Sequence, residues 1–379
     1  GKKLSGTLYI EKGTLPTLSE KLFADNPTIQ TRSSFDAVFT ETNTGTLYKA
    51  TESIAGSPAK DVYYFAGDAK NNWVKFGTWQ EDKTIVVGYP PDGEDSYFPK
   101  EFNTMLDCTS DSAYTNCEEI PLAKKGDSMY WRIIRTNKDG SIRMLYSGTS
   151  AESQTGFIGM SALNDNKTLD PLYVGYMYGT SGSLENNRTN ENSSTIKNYI
   201  DNWYSKNLVN YTKYLSTTAI YCNDRSVIDY GNWASTNNVT GYGMGYETIK
   251  FKNYNLNDEL YCKNITDRFC VSNDKAKLKY PVGLVSLSEL HLLKKSNATS
   301  PNTSGFYTIS PLRYFTSSEV VVGNLYNSNN FQAPNGYYLT NGLPPSVESY
   351  VKPMITLRYD AGYSEGNGSA SNPYVIYTK

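Results

Sequence analysis

Apolar positions along this chain alternate more often than they recur at helical spacing. The clearest run is Tyr130 to Gly148, YWRIIRTNKDGSIRMLYSG. Trp131, Ile133 and Arg135 alternate with Arg132, Ile134 and Thr136 on the way in, and Ile142, Met144 and Tyr146 with Arg143, Leu145 and Ser147 on the way out. Asn137-Lys138-Asp139-Gly140 lies between them and tolerates positive φ, so the stretch predicts a β-hairpin. Apolar residues on both faces predict a central place for it, with chain packed on each side. Two further β runs flank Gly67–Asn72 in DVYYFAGDAKNNWVKFG (61–77) and predict a second hairpin. Strand patterns return at 279–285, 306–310 and 351–358, where Pro353 predicts an edge or an irregularity.

Two stretches follow the helical period instead. In NSSTIKNYIDNWYSKNL, Ile196, Tyr199, Ile200, Trp203 and Leu208 fall near one face, with Ser194 as N-cap. SLSELHLLKK (286–295) opens on a Ser286/Glu289 capping box and ends on Lys294 and Lys295, beside the negative end of the helix dipole. His291, inside it, has no ligand pattern around it and reads as structural or solvated. Residues 1–60 read as an extended, β-rich N-terminal segment. Leu4–Glu11 alternates like a strand but has too little apolar area to stand alone. It is expected to add to a sheet edge, in its own chain or in a neighbouring subunit. Residues 61–129 read as a hairpin followed by an insertion carrying Cys108 and Cys117, and residues 130–379 as the main domain. Within that domain, 222–262 is a long polar and aromatic loop of the length that usually carries function.

A chain of 379 residues can bury a sizeable core, yet only 38% of it is apolar. The 33 tyrosines fill the gap. Tyr offers rigid contact area with a hydroxyl that tolerates water, which suits both a sheet-rich secreted protein and an interaction surface. The net charge of −2, without a basic run, argues against nucleic-acid and anionic-membrane binding. No apolar run is long enough to span a bilayer. A start at Gly1, without Met or signal peptide, reads as a processed mature protein.

With five cysteines and a single histidine, a zinc site has few ligands to draw on. Cys108 and Cys117 close the polar loop CTSDSAYTNC, and a bridge there contributes about 2–3 kcal/mol by loop-closure arithmetic. It points to an oxidising compartment. Among Cys222, Cys262 and Cys270 the residues alone leave the pairing open; Cys262–Cys270 would need only a tight local loop. Asp165, Asn166 and Asp170 miss the calcium-loop pattern and read as a solvated turn, so no metal or cofactor is expected and calcium has no support. Asn-x-Ser/Thr recurs, for example at Asn187, Asn210 and Asn264, in a chain so rich in these residues that the motif says little. Nothing matches a phosphate-binding loop, a nucleophile elbow or an H-E-x-x-H helix.

YWRIIRTNKDGSIRMLYSGTS, preceded by NNWVKFG and followed by YVGYMYGTSGSLENNRTN, STIKNYIDNWYSKNL, LSTTAIYCNDRS, AKLKYPVGLVSLSEL, YTISP and YVKPMITL…GNGSASNPYVI, resembles a group of secreted proteins of low-GC Gram-positive gut bacteria and their mollicute-like relatives. Those proteins look like members of the C-type-lectin-like superfamily, which also holds formylglycine-generating enzymes and phage receptor-binding tips. The resemblance covers 61–77 and 130–376. It implies an α+β fold, a C-type-lectin-like mixed sheet with two helices and long loops, its first and last strands paired. It also implies a cysteine at both 222 and 262, hence a Cys222–Cys262 bridge with Cys270 left as a buried free thiol. Residues 78–129 depart from the pattern. The calcium motifs of sugar-binding lectins are missing, with Pro334-Asn335 only a fragment, and so is the copper-binding cysteine pair of the formylglycine-generating enzymes.

The function expected from all this is a secreted or cell-surface, non-enzymatic binding or adhesion protein, or a subunit of a surface filament or appendage. Its ligand would be a protein or glycan surface, and Leu4–Glu11 would link copies of the chain. Trp233, Tyr242, Tyr246, Tyr326, Tyr337 and Tyr338 are the candidate anchors, because aromatic residues dominate interface hot spots; they equally suit a small core within the loops. The alternatives are an extracellular glycan-active enzyme and a phage receptor-binding protein of the same fold. A cleft holding two carboxylates about 5–10 Å apart would favour the enzyme.

Overall fold

The computed structural model describes residues 15–31, 44–54, 56–66, 69–91, 99–151, 153, 155–165, 171–225, 260–286, 289, 305–307, 309, 324–326 and 346–378. Helix α1 (Leu18–Asp25) comes first. The Thr17 hydroxyl accepts the Glu20 N–H at 3.1 Å and the Glu20 carboxylate accepts the Thr17 N–H at 2.8 Å, a reciprocal cap. Leu18 and Leu22, one turn apart, are buried in the main core. Residues 1–60 are therefore not extended throughout. The Thr17-x-x-Glu20 signature, one short turn of apolar spacing behind it, was there to be read.

Four strands follow: β1 (Thr28–Thr31), β2 (Thr46–Ile54), β3 (Ser57–Tyr64) and β4 (Trp73–Thr78). The insertion supplies β5 (Lys83–Tyr89), β6 (Lys100–Phe102), helix α2 (Met105–Ser110) and β7 (Asn116–Ala123), which form a separate sheet in the order β6-β5-β7. Next come β8 (Ser128–Thr136), β9 (Ile142–Tyr146), β10 (Met160–Ala162), β11 (Met177–Tyr178), α3 (Leu184–Asn187), β12 (Asn192–Ser193) and α4 (Thr195–Asn207). The rest of the described chain adds β13 (Tyr221–Cys222), β14 (Leu260–Cys262), β15 (Arg268–Phe269), β16 (Val282–Gly283), β17 (Gly305–Tyr307) and β18 (Asn324–Tyr326). It closes with β19 (Glu348–Tyr350), β20 (Met354–Leu357), β21 (Tyr363–Glu365) and β22 (Tyr374–Ile376). The architecture is mixed, with many strands in several sheets and few helices.

β8 and β9 pair as their alternation predicts, with Gly140 at φ +82° in the turn between them. Trp131, Ile133, Met144 and Tyr146 are fully buried, so the hairpin is central. β20 adds to β9 in antiparallel register, from Met354 opposite Leu145 to Leu357 opposite Ile142. Pro353 marks the step from β19, in a second sheet with β10, β17 and β18, into β20 of the main sheet.

β3 and β4 do not form the expected second hairpin. Both run antiparallel to β8, hence parallel to each other. The residues between them are stitched to β8: Phe65 N–H donates to Ile134 O at 3.2 Å, and Asn72 brackets Ile133, accepting its N–H at 2.8 Å and donating from Nδ2 to its carbonyl at 3.0 Å. A short Gly-Asp turn favoured local pairing. Tyr64 and Val74, both fully buried, instead pair with Arg135 and Trp131 of β8, and the long-range pairing prevailed. β22, the last strand, lies parallel beside β4.

α4 forms as predicted. Ser194 Oγ accepts the Lys197 N–H at 3.3 Å, and Ile196, Ile200, Trp203 and Tyr204 are buried against the sheet. Trp203, Trp79 and Tyr146 meet edge to face at centroid separations of 6.0 to 6.3 Å, and Trp79 Nε1 donates to the Tyr146 hydroxyl. The Ser286/Glu289 capping box is also present, at 3.0 and 3.1 Å. The Glu289 carboxylate reaches further than a cap does: it pairs with Arg135 at 3.0 Å and with Arg143 at 2.5 Å, while Arg135 also meets Glu52 at 3.2 Å. Burial alone would raise the Glu289 carboxyl; Arg143 and Arg135 outweigh it and hold it below the ordinary range. His291 lies outside the described residues.

Candidate binding site

The aromatic residues expected to anchor a ligand are not among those whose side chains are described. Trp233, Tyr242, Tyr246, Tyr337 and Tyr338 lie outside the described residues, and Tyr326 is described only as backbone in β18. What the structure does describe is the footing of the 226–259 segment. Arg225, the last described residue before it, is fully buried and donates from Nε to Asp267 Oδ1 at 2.8 Å. Arg225 Nη2 donates to Asn190 Oδ1 at 2.8 Å and to Thr266 O at 2.9 Å, and its Nη1 donates to Met177 O at 3.0 Å. Arg188 reaches the second Asp267 oxygen at 2.9 Å. Burial pulls the Arg225 guanidinium below its usual range, against the opposing pull of Asp267. Asn190 holds its place with φ +58°, a backbone state that Asn tolerates better than most residues.

A covalent tie reinforces this footing. Cys222 and Cys262 are disulfide-bonded across 40 residues, and Cys108 and Cys117 across 9. Cys270 is the buried free thiol. The pairing implied by the sequence resemblance is thus the one present, and the tight Cys262–Cys270 alternative is not formed. Arg225 and Asp267 were not singled out in the sequence; a lone Asp and a lone Arg 42 residues apart give no local signal.

Elsewhere in the described residues, one face of α4 lines a cleft of about 640 Å³. Lys197, Asn198, Asp201, Asn202 and Ser205 form one wall, and Val271, Lys277, Leu278 and Lys279 the other. Lys197 Nζ contacts the Asp201 carboxylate at 2.7 Å, with both side chains largely buried. Burial raises the Asp201 carboxyl, against the charges of Lys197 and Lys279. On the far wall, Lys277 and Lys279 point outward on either side of buried Leu278.

Two carboxylates approach each other elsewhere, where the inserted sheet meets β10 and β19. Glu348 Oε2 accepts the Glu101 N–H at 2.7 Å, Glu101 Oε2 accepts the Met160 N–H at 2.7 Å, and Lys83 pairs with Glu101 Oε1 at 3.2 Å. Burial raises the Glu348 carboxyl and the Tyr199 phenol, and the neighbouring Glu101 charge pushes both the same way. Three of the interactions tie backbone or an ammonium group to these oxygens, so the pair acts as a latch between sheets.

For the calcium reading, Asp165 keeps its N–H on Thr195 Oγ1 at 2.9 Å, while Asn166 and Asp170 lie outside the described residues. Among the described residues no cluster of three or more acidic, Cys or His side chains is placed to hold a metal, and no helix is long and apolar enough to cross a membrane. The sequon at Asn187 is fully buried and closed to glycan attachment. No family model matches the chain, and no curated protein or solved structure matches it either.

Proposed function

We propose that this chain is an extracellular, non-enzymatic binding or adhesion protein, with a C-type-lectin-like domain over 130–379. The observation that carries the reading is the buried Arg225–Asp267 clamp and the Cys222–Cys262 bridge at the base of the aromatic 226–259 segment. Scaffolds that recognise partners through loops hold those loops on rigid elements, and a buried ion pair with a disulfide supplies that rigidity. Two disulfides are compatible with an oxidising location. The C-terminal β22 set beside β4 is in keeping with the lectin-like architecture. The test uses beads coated with the full chain, scored for retention on bacterial and epithelial cell surfaces, alongside an assay for reducing ends released from surface glycans. Retention that falls when Trp233, Tyr242 and Tyr246 are changed to Ala supports the reading. Absence of retention overturns it. Release of reducing ends, abolished in Glu101→Gln or Glu348→Gln, replaces it with the glycan-active enzyme.

Assembly into a filament is a second reading, favoured by one observation. Leu15–Thr17 runs antiparallel to Ala361–Tyr363, with Leu18 N–H on Ala361 O at 2.9 Å and Tyr363 N–H on Pro16 O at 2.8 Å. That line leads toward β21, the last strand on its side of the main sheet. Leu4–Glu11 lies outside the described residues. In this reading it adds to that edge in a neighbouring copy, past Pro16, which has no N–H to return to Tyr363. Deleting Gly1–Thr14 then abolishes assembly followed by light scattering; unchanged assembly rules the linkage out.

A further inference from the structure

The cleft beside α4 has a chemistry that the aromatic loops do not explain. Its walls carry three ammonium groups against one carboxylate, on a chain whose net charge is −2. Lys197 is held by Asp201, but the other two are differently placed. Lys277 pairs with an exposed Asp274 at 3.4 Å, a contact that water screens. The Lys279 ammonium sits 5.1 Å from the Tyr280 ring centre, its charge acting on Asp201 without an ion pair at contact distance among the described residues. Both are therefore available to a ligand anion. Opposite them, Asn198 and Asn202 stand one turn apart on the same face of α4. Each amide offers a donor and an acceptor together, the pairing that adjacent hydroxyls satisfy. The volume, about 640 Å³, lies in the range of small-ligand sites and is far larger than a single inorganic anion needs.

We infer that this cleft is a calcium-independent binding site for an acidic saccharide: its carboxylates meet Lys277 and Lys279, and its hydroxyls meet Asn198 and Asn202. Half-buried Val271 on the same wall gives an apolar strip for the C–H face of a sugar ring, while Leu278 between the two lysines turns into the core. Nucleic acid fits less well. Among the described residues no aromatic side chain lines the cleft, and Tyr280, next to Lys279, is already stacked on Tyr204 at 4.8 Å. An acidic peptide would satisfy the lysines but bring few hydroxyls to the amide wall. This site goes beyond the adhesion reading and does not depend on the aromatic loops.

The test is calorimetric titration of the full chain with trigalacturonate, a neutral trisaccharide and hexaglutamate, with circular dichroism to confirm that each variant is folded. Trigalacturonate should bind, more weakly as salt rises, and the neutral sugar should bind far less. Lys277→Gln with Lys279→Gln should weaken trigalacturonate by about tenfold, the loss of two solvent-screened charge-assisted contacts. Asn198→Ala with Asn202→Ala should weaken it several-fold while leaving hexaglutamate unchanged. Changing Trp233, Tyr242 and Tyr246 to Ala should leave it intact, which separates a failure here from a failure of the adhesion reading. No trigalacturonate binding at millimolar concentration overturns the proposal, as does binding indifferent to both pairs of substitutions. Hexaglutamate binding as tight as trigalacturonate overturns it in favour of an acidic-peptide surface.

Discussion

Arg225 Nε lies 2.8 Å from Asp267 Oδ1, and neither side chain has any exposure to solvent. Taking both charges out of water costs several kcal/mol, which only their mutual attraction and the surrounding hydrogen bonds offset. Asp267→Asn removes the countercharge and leaves the guanidinium buried. The expected loss is about 3–5 kcal/mol of unfolding free energy in urea. Replacing both residues by Leu and Met should cost less than the sum of the single changes, because the fully buried guanidinium is gone and only the more exposed Arg188 loses its partner. A strictly additive double variant would show that the pair is not coupled.

The two bridges differ in how much chain they close. By loop-closure arithmetic, the 9-residue separation at Cys108–Cys117 contributes about 3 kcal/mol and the 40-residue separation at Cys222–Cys262 about 4 kcal/mol. Non-reducing peptide mapping should return peptides joining those pairs. Cys270 should react with an alkylating reagent only after unfolding, since it is buried. Rapid labelling of native Cys270 would contradict its placement.

The same region shows where sequence reading succeeds and where it stops. The β8–β9 hairpin and α4 were legible because period, cap and turn agreed over one continuous stretch. The β3–β8–β4 arrangement was not, because the partner of Tyr64 is Arg135, far along the chain. The 1–60 region hid α1 in a single capping box. The cleft was equally hidden: Asn198 and Asn202 were visible as helix positions, but Lys277 and Lys279 reach them only through the fold.

Glu289 links acid stability to the capping box and the arginine pair. Its folded pKa is depressed below 4.5, so its contribution is present above that value and is lost as pH falls through the folded value. Glu289→Gln should lower stability at neutral pH by about 3–5 kcal/mol, leaving Arg135 and Arg143 short of a countercharge. It should also flatten the fall in stability below about pH 4.5. Denaturant titrations of both proteins across the acid range check this, and an unchanged acid slope would remove Glu289 from the account.

Lys352 gives the opposite sign. It sits at the step between β19 and β20, 6% exposed, with its Nζ only 3.2 Å from where a Cβ on Gly156 would be. Burial, helped by the nearby Arg132 charge, lowers its pKa from 10.5 to about 8. The unfolded chain therefore holds this proton more tightly than the folded one does. Stability from this group is complete only above the unfolded value and is lost as pH falls through about 8. At neutral pH the cost is about 3 kcal/mol, and roughly 2 kcal/mol of it should be recovered between about pH 7 and about pH 9.5. Lys352→Met has no such proton, so its stability should not show that rise. The difference between the two proteins, measured by urea unfolding at both pH values, isolates the lysine from every other titrating group. A difference that stays constant with pH would mean that Lys352 keeps its ordinary proton affinity in the fold.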